Sequence, residues 1–423
     1  MTTSTQATLS PVHGGLARSV NRIEPRERVN FPAWRKLPRV QVEEVDRTTL
    51  YRIADGTLSP LTGPMTKPDY DCVLAHAAIE RDGKRWAWGI PVVLPVTDAE
   101  AAAIQVGKEV GLWLEGEVFG RLIVRDVYGW DKTAFVQACY GTERLDHPGA
   151  RLWTGDPRTQ LVGGEIQLAS AVDRRPFAAR VMSPQQTRAL IERKGWEQSV
   201  AFQTRNPLHR AHEYALVYGA ETLLRQTGKR TGVVLNPLVG QLKGDDVPAD
   251  VRMHTYEALV GGKFLGRGDL DEELWKRCGQ VFSEQVELIG LDMRMYYGGP
   301  REAVMHAIYR QNLGFTHFII GRKHADAPYD DKTPIWGDFD AQEIFKRLGG
   351  ALAIRTVNVG FAAFFEELGR VGLVEDNKGK TQVTISGTKM REILGRGEMP
   401  DERVMRPSTA QVLAAYYQSQ NGA

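Results

Sequence analysis

Ten consecutive residues, Gln203-Thr204-Arg205-Asn206-Pro207-Leu208-His209-Arg210-Ala211-His212, bring amide, hydroxyl, guanidinium and imidazole groups together. They lie between a short apolar run, Val200 to Phe202, and an apolar series at helical spacing, Leu216, Ala220, Leu223 and Leu224. That spacing predicts a helix beginning near His209, with His209 and His212 on its first exposed turn. A helix N-terminus presents free N–H groups and the positive end of its dipole, so an anion is the natural ligand. Pro207 suits a helix start, Asn206 is a plausible cap, and Arg205 supplies a planar fork matched to phosphate or sulfate. Two blander readings compete. One is a capped helix with solvated histidines; the other is a zinc pair, which needs further ligands and lacks the spacing of H-E-x-x-H.

A second segment with chemical potential is Gly321-Arg322-Lys323-His324-Ala325, where a glycine lets backbone approach a ligand and Arg and His supply donors. A cationic surface loop is the alternative. Leu238 to Pro248 sets Lys243 beside Asp245 and Asp246, and a solvated loop explains that string alone. Gly298-Gly299-Pro300-Arg301-Glu302-Ala303 reads as a turn with Pro300 opening a helix. Ile385-Ser386-Gly387-Thr388 opens another helix, and capping alone would account for its hydroxyls.

Taken together these strings resemble the ATP sulfurylases, a branch of the H-x-G-H nucleotidyltransferases. Q-T-R-N-P-L-H-R-A-H is similar to that family's signature. The other segments resemble its L-V-G-x-x-K-x-D-D-x-P, A-G-P-R-E-A, G-R-D-H-A and I-S-G-T. Trp336-Gly337-Asp338-Phe339-Asp340-Ala341-Gln342 looks like Y-G-P-F-D-A-Q. Lys323 stands where the family carries aspartate. Further matches occur at Pro11 to Gly15, Leu58 to Gly63, Tyr140 to Thr142 and His147 to Gly149, so the resemblance runs through nearly the whole chain.

The resemblance implies adenylyl transfer from ATP to sulfate, with Thr204, Arg205, Asn206, His209 and His212 as catalytic residues. It implies sulfate contacts from Gln203, Arg205 and the Ala325 amide. ATP contacts would come from Gln203 to Asn206, His209, His212, Gly321, Arg322, Lys323, His324 and Ala363. Mg2+ is expected with ATP. Glu366 to Gln382 holds neither Cys nor His, so no zinc is expected, and the lack of G-x-x-x-x-G-K-[ST] implies no fused adenylylsulfate kinase. Family members are commonly homo-oligomers. A nucleotidyltransferase with another acceptor, or a nucleic-acid-binding module in the N-terminal part, are the competing readings.

The elements that must position these residues follow from the sequence pattern. From about Val40 to Ser170, short apolar runs (Trp88 to Val96, Gly111 to Leu114, Val118 to Val127) broken by Gly, Pro and Asp read as mostly β, with one helical stretch near Asp98 to Val106. Beyond Arg175, strands and helices alternate, the pattern of a parallel sheet with flanking helices. The expected fold is α/β: a β-rich PUA-like barrel over 1–175, a Rossmann-like catalytic domain over 176–359 and a small α/β subdomain over 360–423. Ligands of such sheets bind beyond the carboxyl ends of the strands, so four loops should converge there: 203–212, 237–248, 296–301 and 321–325.

Composition sets the limits. At 423 residues two or three domains are expected, and a net charge of +2 offers no bulk attraction to nucleic acid or anionic membrane. Cys72, Cys139 and Cys278 form no even framework, which suits a reducing cytoplasm. Met1 to Ser10 is expected to be a disordered tail without a secretory layout, and no apolar run reaches the ~20 residues that span a bilayer.

Overall fold

A computed structural model of the chain describes residues 7–240 and 247–421. The N-terminal half is built on a six-stranded sheet. Its strands are β1 (Ile23–Glu24), β2 (Arg39–Gln41), β5 (Pro95–Val96), β6 (Glu109–Leu114), β7 (Glu117–Gly129) and β8 (Gln160–Ala169); β3 (Ala78–Arg81) and β4 (Lys84–Ala87) form a separate hairpin. The order β1-β8-β7-β6-β2, with β5 against β8, is an open path, where the sequence suggested a closed barrel. The half is also richer in helix than expected. Helices at Glu44–Ala54, Lys67–His76, Lys132–Tyr140 and Pro148–Thr154 join the anticipated one at Asp98–Ala103. Of the apolar run 88–96 only Pro95 and Val96 enter a ladder. Trp88, Ile90, Val92 and Leu94 are buried as irregular chain, and the close approach of Arg301, whose carbonyl oxygen would lie 1.9 Å from a Cβ at position 89, requires Gly89.

The second half alternates as its sequence predicts. Parallel strands β9 (Gln198–Phe202), β10 (Thr231–Leu235), β11 (Val286–Leu288), β12 (His317–Ile320) and β13 (Arg355–Asn358) take the order β11-β10-β9-β12-β13. The order reverses direction between β9 and β12, and the crevice beyond their carboxyl ends is the topological switch point. β13, short and half polar, was not legible in the sequence. Beyond it, β14 (Ala362–Phe365), β15 (Arg370–Leu373) and β16 (Gln382–Val383) form an antiparallel sheet, followed by helices Gly387–Gly395 and Pro407–Asn421. Those helices share a small core of Met390, Leu394, Met405, Ala410, Leu413 and Ala414, packed against Val251.

The halves are joined through buried polar contacts. The Asn312 amide donates to the Thr57 and Ser59 carbonyls (3.0 and 2.9 Å) and its oxygen accepts the His13 N–H (2.9 Å). Rings of His13 and His147 lie 2.9 and 3.0 Å from the carbonyls of Ala87 and Ala327. The expected tail is also docked in part: Thr8 and Ser10 donate to the Trp196 and Gly314 carbonyls (2.9 and 3.0 Å), and Ser10 is buried. Among the described residues no helix is long and apolar enough to cross a membrane.

Burial holds the His13 imidazole down at about 4, against 6.5 when exposed. Between these values the unfolded chain binds a proton that the folded chain refuses, so stability present above pH 6.5 is lost as pH falls toward 4. The cost is about 1.4 kcal/mol per pH unit per proton. The calorimetric melting temperature is therefore expected to fall over this range, and to fall less steeply in His13→Gln. An equal slope in the variant would remove His13 from the account; the comparison isolates it from buried carboxyls such as Glu302, which act with opposite sign.

Candidate functional site

The loop after β9 ends where the apolar spacing predicted, but the helix cap is a different residue. The helix runs over Arg210–Thr227 with His209, not Asn206, at its N-cap, and no side chain caps it. Asn206 is held outside the helix because its carbonyl accepts from the Tyr256 hydroxyl (2.8 Å) and from Thr204 Oγ1 (2.9 Å). Pro207 therefore precedes the helix instead of opening it. His209 and His212 are half-buried, not exposed, and their rings stack at 3.7 Å. Burial lowers His209 to about 4, and burial with its neighbour lowers His212 well below the usual range. Both are neutral donors or acceptors at pH 7, and no partner meets the buried His212 Nδ1.

The loop after β12 turns back through left-handed residues Lys323 (φ 48°) and Ala325 (φ 58°). Together the two loops enclose a cavity of about 370 Å³, large enough for a small organic ligand. Gln203, Thr204, Arg205, Asn206, His209, His212 and 321–325 all line it. Ala363 does not. On β14 it lines an adjoining cavity of about 320 Å³ with Asn206, His209 and Met390.

The polar groups bring both donors and acceptors to the cavity. Arg205 lies over the Tyr297 ring (5.1 Å) and reaches the Asp326 carbonyl (3.4 Å), leaving a buried Nη1 without a partner. Gln203 likewise has a buried, unpartnered Oε1. Arg322 sits over the Phe361 ring (4.1 Å) and 3.4 Å from Asp338, which is also 3.6 Å from Lys323. Two departures from the motif pattern, Lys323 for aspartate and Asp338 for proline, therefore meet as a half-exposed ion pair.

The other two expected loops stand differently. Residues 241–246, including Lys243, Asp245 and Asp246, lie outside the described residues. The 296–301 loop faces the N-terminal half: Tyr140 donates to the Tyr296 carbonyl (2.9 Å), and Arg301 donates to the Val73 carbonyl (3.1 Å). Ser386 caps its helix, accepting from the Lys389 N–H (3.2 Å). Sequence reasoning missed Tyr256, Asp326, Phe361 and His306. Only His306 left a signal, one helical turn after Glu302 on the same face.

The helix behind the histidines is tied to the C-terminal section by a buried charge cluster. Arg210 pairs with Asp269 (2.6 Å) and Glu213 with Arg406 (2.7 Å), while Asp269 also accepts the Val371 N–H (2.8 Å).

Comparison with known proteins gives a consistent result. A family model described as ATP-sulfurylase matches residues 179–416, and one described as PUA-like domain matches 9–171. The sulfate adenylyltransferase of Pyropia yezoensis is 65% identical over 98% of this chain and 99% of its own length. That of Symbiobacterium thermophilum is 38% identical over 90% and 89%. Among solved structures, a chain described as hexameric APS kinase from Thiobacillus denitrificans superposes with a TM-score of 0.68 at 21% identity, covering 96% of this chain and 68% of that one.

An anion against His209 favours its charged form. Addition of pyrophosphate is expected to raise its pKa from about 4 by at least one unit, read by histidine NMR. No shift would place the anion elsewhere.

Proposed function

The chain belongs to the ATP-sulfurylase family, and from that premise we propose how its cavity performs sulfate adenylyl transfer. A sulfate oxygen attacks the α-phosphorus of ATP in line; adenosine 5′-phosphosulfate forms and pyrophosphate leaves. Sulfate is a weak nucleophile approaching a polyanion, so the protein's work is to position and neutralise. The observation that carries this reading is the convergence of Arg205, Gln203, His212 and His324 on one cavity, with buried donor and acceptor atoms still unpaired.

In this reading Gln203, Arg205 and the Ala325 amide hold sulfate. Thr204 and Asn206 fix the loop, as their mutual hydrogen bonds suggest. His209 and His212 meet the α- and β-phosphates at the uncapped helix end, where developing negative charge is favoured. Gly321, Arg322, Lys323 and His324 hold the remaining phosphates, and Ala363 borders the adenine side. Mg2+ would arrive with the nucleotide and neutralise phosphate charge. The described residues include no cluster of three or more His, Cys, Asp or Glu placed for a metal ion, so no step is assigned to it. The cytoplasm is the proposed setting, supported by the three free cysteines, and a homo-oligomer is the proposed assembly, given the fold shared with a chain described as hexameric.

Removing one well-aimed donor at developing charge costs roughly 2.7 to 4 kcal/mol, or about 100- to 1000-fold in rate. Losses of that order are expected for Arg205→Ala and His212→Ala in sulfate-dependent pyrophosphate release. Near-normal turnover by both folded variants would refute the site assignment.

Lys323→Asp places like charges beside Asp338, and KM for ATP is expected to rise about fivefold, the order of one exposed ion pair. Adding Asp338→Pro should recover most of that loss. Equal KM values in the wild type and both variants would make the pair irrelevant to the nucleotide.

A further inference from the structure

Behind His324 in the cavity wall lie Glu302 and His306, and His306 falls in none of the motifs. His306, on the helix Gly299–Asn312, is fully buried. Its Nδ1 is 2.9 Å from His324 Nε2. Its Nε2 is 3.3 Å from Glu302 Oε1 and 3.5 Å from Gln203 Nε2. Glu302, also fully buried, accepts the Tyr296 and Gly298 N–H groups (2.8 and 2.9 Å), so its carboxyl cannot turn away.

A bond between two neutral imidazoles holds one hydrogen, and the choice of donor propagates. With Glu302 protonated, its O–H donates to His306 Nε2, His306 Nδ1–H donates to His324 Nε2, and His324 carries its own hydrogen on Nδ1. With Glu302 ionised, His306 Nε2–H donates to the carboxylate, Nδ1 accepts from His324 Nε2–H, and His324 Nδ1 is a bare lone pair. The Gln203 amide nitrogen also faces His306 Nε2, where in the first arrangement it shares the single lone pair with the Glu302 O–H and in the second two donors face each other.

We propose that His306 is a positioning residue whose hydrogen, set by Glu302, decides whether His324 turns an N–H or a lone pair toward the substrate phosphates. The proposal rests on the reading that His324 meets those phosphates. Burial keeps both imidazoles neutral by lowering them well below the usual range, and raises Glu302 to about 7, so the exchange falls near neutrality. The charged and titratable groups facing the chain are Arg205 from the loop after β9, Arg294 before the helix, Arg310 and Tyr309 on the helix, and Tyr296. An N–H toward phosphate is attractive and a lone pair repulsive, so protonated Glu302 is the productive state.

The test is the ring-nitrogen NMR of the full chain labelled with 15N-histidine, with His324 identified by its loss in His324→Gln. The hydrogen of His324 should sit on Nδ1 below pH 7 and move to Nε2 above it. In His306→Asn the amide donates at the Nδ1 position and passes no hydrogen on, so His324 should keep Nδ1–H throughout. Between pH 6 and 8 the wild-type kcat/KM for ATP should fall about tenfold more than the variant's, as one titrating proton requires; ionisation of ATP affects both equally. A wild-type His324 whose tautomer does not change over this range overturns the proposal without any variant, as does the same change in His306→Asn. A tautomer change with no kinetic counterpart overturns the link to the phosphates and leaves the hydrogen chain standing.

Discussion

Everything in the cavity depends on a ladder two residues long. β12 pairs with β9 only through His317 with Val200 and Phe318 with Ala201. The strands touch briefly and their following loops part, Gln203 onward to one side and Gly321 onward to the other. In a parallel sheet whose order reverses here, the helices after these strands pack on opposite faces, and the gap between the loops cannot be filled by either. A crevice lined by backbone and loop side chains is the geometric result. The polar residues beyond β9 and β12 are therefore affordable to fold, since the residues line a cavity and not a packed core.

The crevice is kept in register by buried charges that would be costly alone. Arg210 and Glu213, on the back of the same helix that starts at His209, find Asp269 and Arg406. Removing one member would strand a buried charge, which is worse than having neither. The arrangement makes the orientation of His209 and His212 depend on residues nearly two hundred positions downstream. The pairing of Lys323 with Asp338 is different: it is half-exposed, and its effect is on the direction of local charge more than on stability.

How much was legible in the sequence follows from which interactions are local. The helix Arg210–Thr227 and strands β9 to β12 were readable because apolar spacing is set within a few residues. The cavity's lining was readable from the motifs after β9 and β12. The helix start was legible, but its cap was misplaced by three residues, Asn206 for His209, because Tyr256, distant in sequence, takes the Asn206 carbonyl. The N-terminal helices were missed because their apolar residues pack on a sheet whose strands come from far along the chain, and short apolar runs do not distinguish strand from helix. Glu302 and His306 meet through their spacing on one helix, but His324 joins them only because Gly321 to Ala325 folds back over them, which no local pattern encodes.

The docking of Thr8 and Ser10 on Trp196 and Gly314 bears on the modularity of the molecule. From Thr8 and Ser10, docked on the second half, the chain passes through the first and returns. A single cut near residue 175 would thus leave the amino-terminal strap attached to the wrong piece. The first half is consequently no portable cassette that could be exchanged between proteins by joining one linker; a functional transplant would have to carry its strap, and the surface that receives it, together.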